Sequence, residues 1–167
     1  MAPLKLIVGV GNALRSDDGA GLAAAMRLAA MLPADIRVLM KDGDFLSLLE
    51  EWRDADLVVL IDAACSGAPP GTIRRCDARE EPLWAEGVRS STHAFGVAQA
   101  VELARALRRL PARLLVFGIE GRDFSPGDGL SPEVEAAIEE LVRRVAEEAS
   151  SKPGLPNTVT TDTVRGA

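Results

Sequence analysis

The sequence predicts an α/β fold, a three-layer α/β/α sandwich around a mostly parallel five-stranded sheet with one antiparallel strand. Three observations carry this. Short continuous apolar runs recur at residues 4–10, 36–40, 57–61 and 114–119, as strands buried on both faces require. Segments with apolar residues at helical spacing alternate with them. One connection, Ser66-Gly67-Ala68-Pro69-Pro70-Gly71, is too short for a helical crossover, so the strand after it must turn back.

Taken in order, residues 4–10 form the first strand, and a helix over 18–32 follows. Leu22, Ala25, Met26 and Ala29 make its stripe, and Pro33 stops it. Ser16 is its expected N-cap. Residues 36–40 are the second strand. A short helix over 45–52 is capped by Asp44. The run LVVLI at 57–61 is the clearest central strand, and it ends on Asp62. Residues 72–76 form the antiparallel strand, expected at an edge. Residues 78–91 are polar and irregular. A helix over 93–109 carries Val97, Val101 and Ala104 on one face, with Ser91 or Thr92 as its cap. Residues 114–119 form another buried strand, and 121–130 a Gly/Pro/Asp loop. The last helix starts with Ser131 as N-cap and Pro132 in first position. Its stripe is Val134, Ala137, Ile138, Leu141, Val142 and Val145, with Glu139–Arg143 and Glu140–Arg144 spaced four apart on the wet side.

The chain of 167 residues fits one domain. We expect it to span 1–149, with 150–167, rich in Ser, Thr, Pro and Gly, as a disordered tail. A net charge of -6 and a pI near 4.9 argue against nucleic acid or an anionic membrane as partner. No apolar stretch is long enough to span a bilayer, and the N-terminal run is too short for a signal-peptide core. Cys65 and Cys76 lack C-x-x-C spacing and read as two free thiols in a reducing, cytoplasmic setting, with a disulfide between them as the alternative.

In open α/β sheets the functional crevice lies beyond the carboxyl ends of the strands. Gly9-x-Gly11 there invites a nucleotide reading, but the third glycine of that fingerprint is replaced by Leu14, and no Gly-Lys-Ser/Thr follows. A pyrophosphate at this helix start would also meet Asp17 and Asp18. Acidic residues in a first helical turn complement the helix dipole, which accounts for Asp17. Asp18 falls on the apolar stripe and faces the sheet edge instead. Gly19 and Gly21 weaken the helix, so something must approach the backbone closely.

Asp62 closes a buried strand, either as a functional carboxylate or as the cap of the next turn. His93 is the one histidine. It is either a surface residue or a functional imidazole held neutral by the helix N-terminus. Together the three form an oxygen-rich, single-nitrogen set able to meet zinc or nickel with coordination positions to spare. The second histidine and H-E-x-x-H helix of common zinc hydrolases are missing, so a metal delivered by a partner fits better than a resident one. No G-x-S-x-G elbow is present.

Four segments, in order and at ordinary spacing across residues 4 to about 148, carry a resemblance: LIVGVGNALRSDDGAG, LVVLIDAACSGAPPGTI, SSTHAFGVAQAVELA and FGIEGRDFSPGDGLSPEVEAAI. They resemble the hydrogenase maturation proteases, endopeptidases that trim the C-terminal extension of the large-subunit precursor of nickel-iron hydrogenases after nickel insertion. The resemblance implies that Asp18, Asp62 and His93 are the catalytic and metal-contacting residues. It also implies that nickel is supplied by the precursor rather than permanently bound. Members often carry Glu at the first position; Asp18 keeps the carboxylate with a shorter reach. Water attacks the scissile bond, activated by the metal or by a carboxylate acting as base. The 121–130 loop and the 78–91 stretch are expected to shape the protein-binding surface, with Trp84 and Phe124 as anchors or as packing residues. Two rival classes are a nucleotide-dependent enzyme and a non-enzymatic metal- or protein-binding module on the same fold.

Overall fold

The computed structural model describes residues 2–83, the backbone of 89–90, and residues 96–152. The strands are β1 (Lys5–Val10), β2 (Ile36–Lys41), β3 (Leu57–Cys65), β4 (Ile73–Asp77), β5 (Arg89–Ser90) and β6 (Arg113–Glu120). The helices are α1 (Ala20–Met31), α2 (Leu48–Glu51), α3 (Val97–Ala106) and α4 (Pro132–Ser150), with a 3-10 turn at Ser16–Gly19 before α1.

Five strands run in the order β2-β1-β3-β6-β4, and the two-residue β5 pairs antiparallel with Ala64 and Cys65 of β3. β1, β2, β3 and β6 are mutually parallel. β4 is the antiparallel edge strand, but its partner is β6, not the preceding β3. The strand that returns from α3 has slipped between the two. The sandwich reading therefore stands, with β5 as a small addition from the stretch taken as irregular.

Side chains alternate across each strand, and the two sets make the two cores. Leu6, Val8, Val10, Val58 and Leu60 pack with Trp52 of the α2 segment and with Val97, Val101 and Ala104 of α3. Ile7, Val59, Ile61, Phe117 and Ile119 pack with Ala24 and Leu28 of α1 and with Ile138, Leu141 and Val145 of α4. β3 is central and buried from Leu57 to Ala64, which is why its sequence shows no alternation.

The helix before β2 starts later than its periodicity implied. Ser16 is not its cap; Ser16 adopts a left-handed backbone (φ 53°), and α1 begins at Ala20 without a side-chain cap. The close approach implied by Gly21 is made by the protein itself. A Cβ there would overlap the Ile61 carbonyl oxygen and lie 2.5 Å from that of Val10. The first turn of α1 thus rests on the carboxyl end of β1 and on the middle of β3.

Other boundaries shift for local reasons. Asp44 accepts the Ser47 N–H at 3.2 Å and opens the turn leading into α2, which is only Leu48–Glu51. α3 is capped at Gly96, whose N–H donates to Gln99 Oε1 at 2.9 Å. Ser91 and Thr92, the expected caps, lie outside the described residues. Ser131 does occupy the N-cap of α4, with Pro132 next. On the wet side Arg144 pairs with Glu140, as expected, whereas Arg143 pairs with Glu140 and Glu147 rather than Glu139. α4 continues to Ser150, and most of the expected disordered tail, 153–167, lies outside the described residues. Cys65 is exposed; Cys76 is buried, and its thiol donates to Pro82 O at 3.8 Å. Among the described residues no helix is long and apolar enough to cross a membrane.

Candidate functional site

β1 feeds leftward to β2 through α1 on one face, while the chain leaving β3 goes rightward, to the edge strand β4 and then through α3 on the other face to β6. The chain direction therefore switches between β1 and β3, and the crevice of an open α/β sheet opens at such a switch. Asp18 comes from the turn after β1, and Asp62 from β3 beside it.

Asp18 is fully buried, with 0% exposure. Gly11 makes this possible: its φ is 142°, and a Cβ there would overlap the Asp18 carbonyl oxygen. The chain can then fold back so that the Asn12 N–H donates to Asp18 Oδ2 at 3.0 Å. The Asn12 side chain in turn accepts the Leu14 N–H at 2.9 Å and holds the turn. Asp18 Oδ1 is buried without a hydrogen-bond partner, a condition shared among the described residues only by Arg15 Nε. A buried carboxylate oxygen left bare is costly, so it is a place where a cation would gain.

Asp62 is 4% exposed. It does not end its strand: β3 runs on to Cys65, and Asp62 is paired in register with Gly118 of β6. Its turn-cap reading therefore fails. In the alternation of β3 it shares the side of Val58 and Leu60, the face covered by α3. Burial, then the negative charge of Asp18, push its carboxyl pKa from 3.8 to about 8, against a weaker contribution from the Ala63 N–H. Burial and a neighbouring negative charge thus keep the proton on Asp62.

His93 lies outside the described residues. Among the described residues no three His, Cys, Asp or Glu side chains gather to hold a metal ion. Asp18 and Asp62 supply oxygen only, so any third donor must come from elsewhere in the chain or from a visitor.

Two further buried carboxylates build the rim: Asp17, read from the sequence only as a complement to the helix dipole, and Glu120, which that reading did not single out. Asp17, also 0% exposed, accepts from Arg122 N (2.8 Å), Asp123 N (3.0 Å), Ser131 N (2.7 Å) and Ser131 Oγ (2.8 Å). Burial works to raise its pKa, and these hydrogen bonds outweigh it and leave the carboxyl below its ordinary value. Its role is thus not that of a dipole complement. Glu120 accepts from Ser66 N, Ser66 Oγ and Gly67 N at 2.7, 2.8 and 3.0 Å and fixes the turn after β3. Glu120 carries a legible signal, since it follows a buried apolar run as Asp62 does. Asp17 had none, because its partners lie more than a hundred positions away. Phe124 packs half-buried on the α1/α4 core, and Trp84 lies outside the described residues.

A family model described as hydrogenase maturation protease (HycI) matches residues 41–148, a span that includes Asp62 and His93. The hydrogenase expression/formation protein HupD of Thiocapsa roseopersicina is 28% identical over 172 residues, covering 93% of this chain and 78% of its own. Among solved structures, the hydrogenase maturating endopeptidase HybD from E. coli aligns with a TM-score of 0.73 at 28% identity, over 86% of this chain and 90% of its own. The [NiFe] hydrogenase maturation protease HybD from Thermococcus kodakarensis gives 0.70 at 29% identity, over 86% and 97%.

Proposed function

The chain belongs to the hydrogenase maturation protease family, and from that premise we propose that it removes the C-terminal extension of a nickel-iron hydrogenase large-subunit precursor once nickel is in place, working in the cytoplasm. It is a hydrolase, an endopeptidase. Nickel belongs to the substrate: it arrives held by cysteines of the precursor, and Asp18, Asp62 and His93 meet it at its unfilled positions. The observation that carries this is the unpartnered buried oxygen of Asp18 beside an Asp62 carboxyl whose pKa is near 8. An acidic pair so short of counter-charge suits a visiting cation and repels a phosphate.

The chemistry asked of the chain is peptide hydrolysis. Water adds to the scissile carbonyl carbon, the C–N bond breaks, and the leaving nitrogen takes up a proton. In the free protein burial and Asp18 keep the Asp62 carboxyl protonated up to about pH 8, so meeting a cation there releases that proton. Docking of a folded protein partner positions the bond and contributes through orientation.

The test mixes purified protein with nickel-loaded and nickel-free precursor and weighs the products. Loss of the C-terminal extension from the nickel-loaded form alone is expected, with Asp62→Ala and His93→Ala inactive. Equal cleavage of both precursor forms removes nickel recognition. Tight nickel binding by the isolated chain without any peptide product would mark a binding module instead.

A further inference from the structure

The acidic turn that presents Asp18 does not hold its shape alone. Ser16 sits at φ 53°, which a residue with a Cβ adopts only when its surroundings over-determine it. Those surroundings are the 121–131 loop. Ser16 N donates to Gly127 O at 3.0 Å, and Ser16 Oγ to Ser125 O at 2.8 Å. Gly127 N returns to Leu14 O at 2.9 Å, and Arg15 Nη2 reaches Phe124 O at 3.3 Å. Asp17 joins both sides: its N–H donates to Asp123 O at 2.9 Å, and its carboxylate gathers Arg122 N, Asp123 N and both donors of Ser131. One side chain thus ties the start of the loop, its end and the N-terminus of α4 to the turn one residue before Asp18.

We propose that Asp17 is a positioning residue: by clamping the 121–131 loop onto the Ser16–Gly19 turn it holds Asp18 aimed into the crevice. The loop is then a fixed wall of the site rather than a lid. The inference rests on the proposed proteolytic function for its kinetic readout only. Asparagine is the informative replacement. It keeps the shape, but its NH2 would face donors on one side, so only part of the clamp survives.

The experiment compares wild type and Asp17→Asn below the thermal transition of each, with nickel-loaded precursor as substrate. It also follows amide hydrogen exchange at Asn12, whose N–H is bonded to Asp18 Oδ2. The expected result is a kcat lower by about tenfold or more, a KM within about twofold, and faster exchange at Asn12. A folded Asp17→Asn protein with wild-type kcat, or with Asn12 exchange unchanged, overturns the proposal and leaves Asp17 a stabilising contact only. Should Asp17→Asn not fold, Ser131→Ala, which removes one donor of the clamp, decides by the same two readouts, in the same direction and smaller. Wild-type protein that cleaves no precursor defeats the functional reading, and the Asn12 exchange still decides the clamp.

Discussion

Asp62 is held against its chemistry. An aspartate in water gives up its proton near pH 3.8, yet here burial and then Asp18 raise that point to about 8. The folded protein therefore keeps a proton that the unfolded chain releases between about pH 4 and pH 8. Stability of the free protein must fall as pH rises through that window, because the native state binds more protons there. Asp62→Asn removes the coupling. We expect the variant to be more stable than wild type above pH 4, with a gap that grows to pH 8, levels off, and reaches on the order of a few kcal/mol. Urea unfolding at a series of pH values checks this, and parallel stability curves for the two proteins would contradict it. Asp17 behaves oppositely. Its hydrogen bonds lower its pKa, so its contribution is present at neutral pH and is lost only as acid protonates it below 3.8.

At the scale of elements, the seat of α1 on the end of β1 and the middle of β3 sets the crevice. Gly21 is the hinge of that contact, since any side chain there runs into the Ile61 and Val10 carbonyl oxygens. Gly21→Ala adds helix propensity worth roughly 1 kcal/mol, and the overlap with backbone overrides it. We expect a net loss of about 1–3 kcal/mol, with activity reduced because Asp18 is carried on the displaced turn. Thermal unfolding and precursor cleavage measure the two effects, and a stabilised, fully active Gly21→Ala would show that the contact is slack. The same elements show what the sequence made legible. LVVLI and LLVFGI announced buried central strands because β3 and β6 are covered on both faces. Gly21 announced a close approach, but not that two strands make it. Ser16 misled, because an N-cap is a local motif whereas its hydroxyl is taken by Ser125, on a loop distant in sequence. Asp18 was legible as an acid on the apolar stripe of a helix start and Asp62 as an acid after a buried run, though β3 continues past it; the clamp of Asp17 was not, since no periodicity reports a partner so far along the chain.

At the scale of the whole molecule, two cores share one sheet, and the site sits where the sheet passes from one to the other. The α1/α4 core holds Phe117, 1% exposed on β6, paired in register with Ile61 next to Asp62. The α2/α3 core holds Trp52, fully buried with its Nε1 donating to Arg109 O at 3.2 Å. If the sheet couples them into one cooperative unit, damage to one core must be felt in the other. Phe117→Ala leaves a cavity costing about 3–5 kcal/mol, a large part of the total stability of a domain this size. In a Trp84→Phe background, tryptophan fluorescence reports Trp52 alone. We expect Phe117→Ala to lower the denaturation midpoint seen by Trp52 as much as that seen by far-ultraviolet circular dichroism, with one transition in both. A Trp52 midpoint that stays in place while the dichroism midpoint falls would mean that the layers unfold separately. The crevice between β1 and β3, built from both layers, would then lack the rigid frame that its carboxylates need.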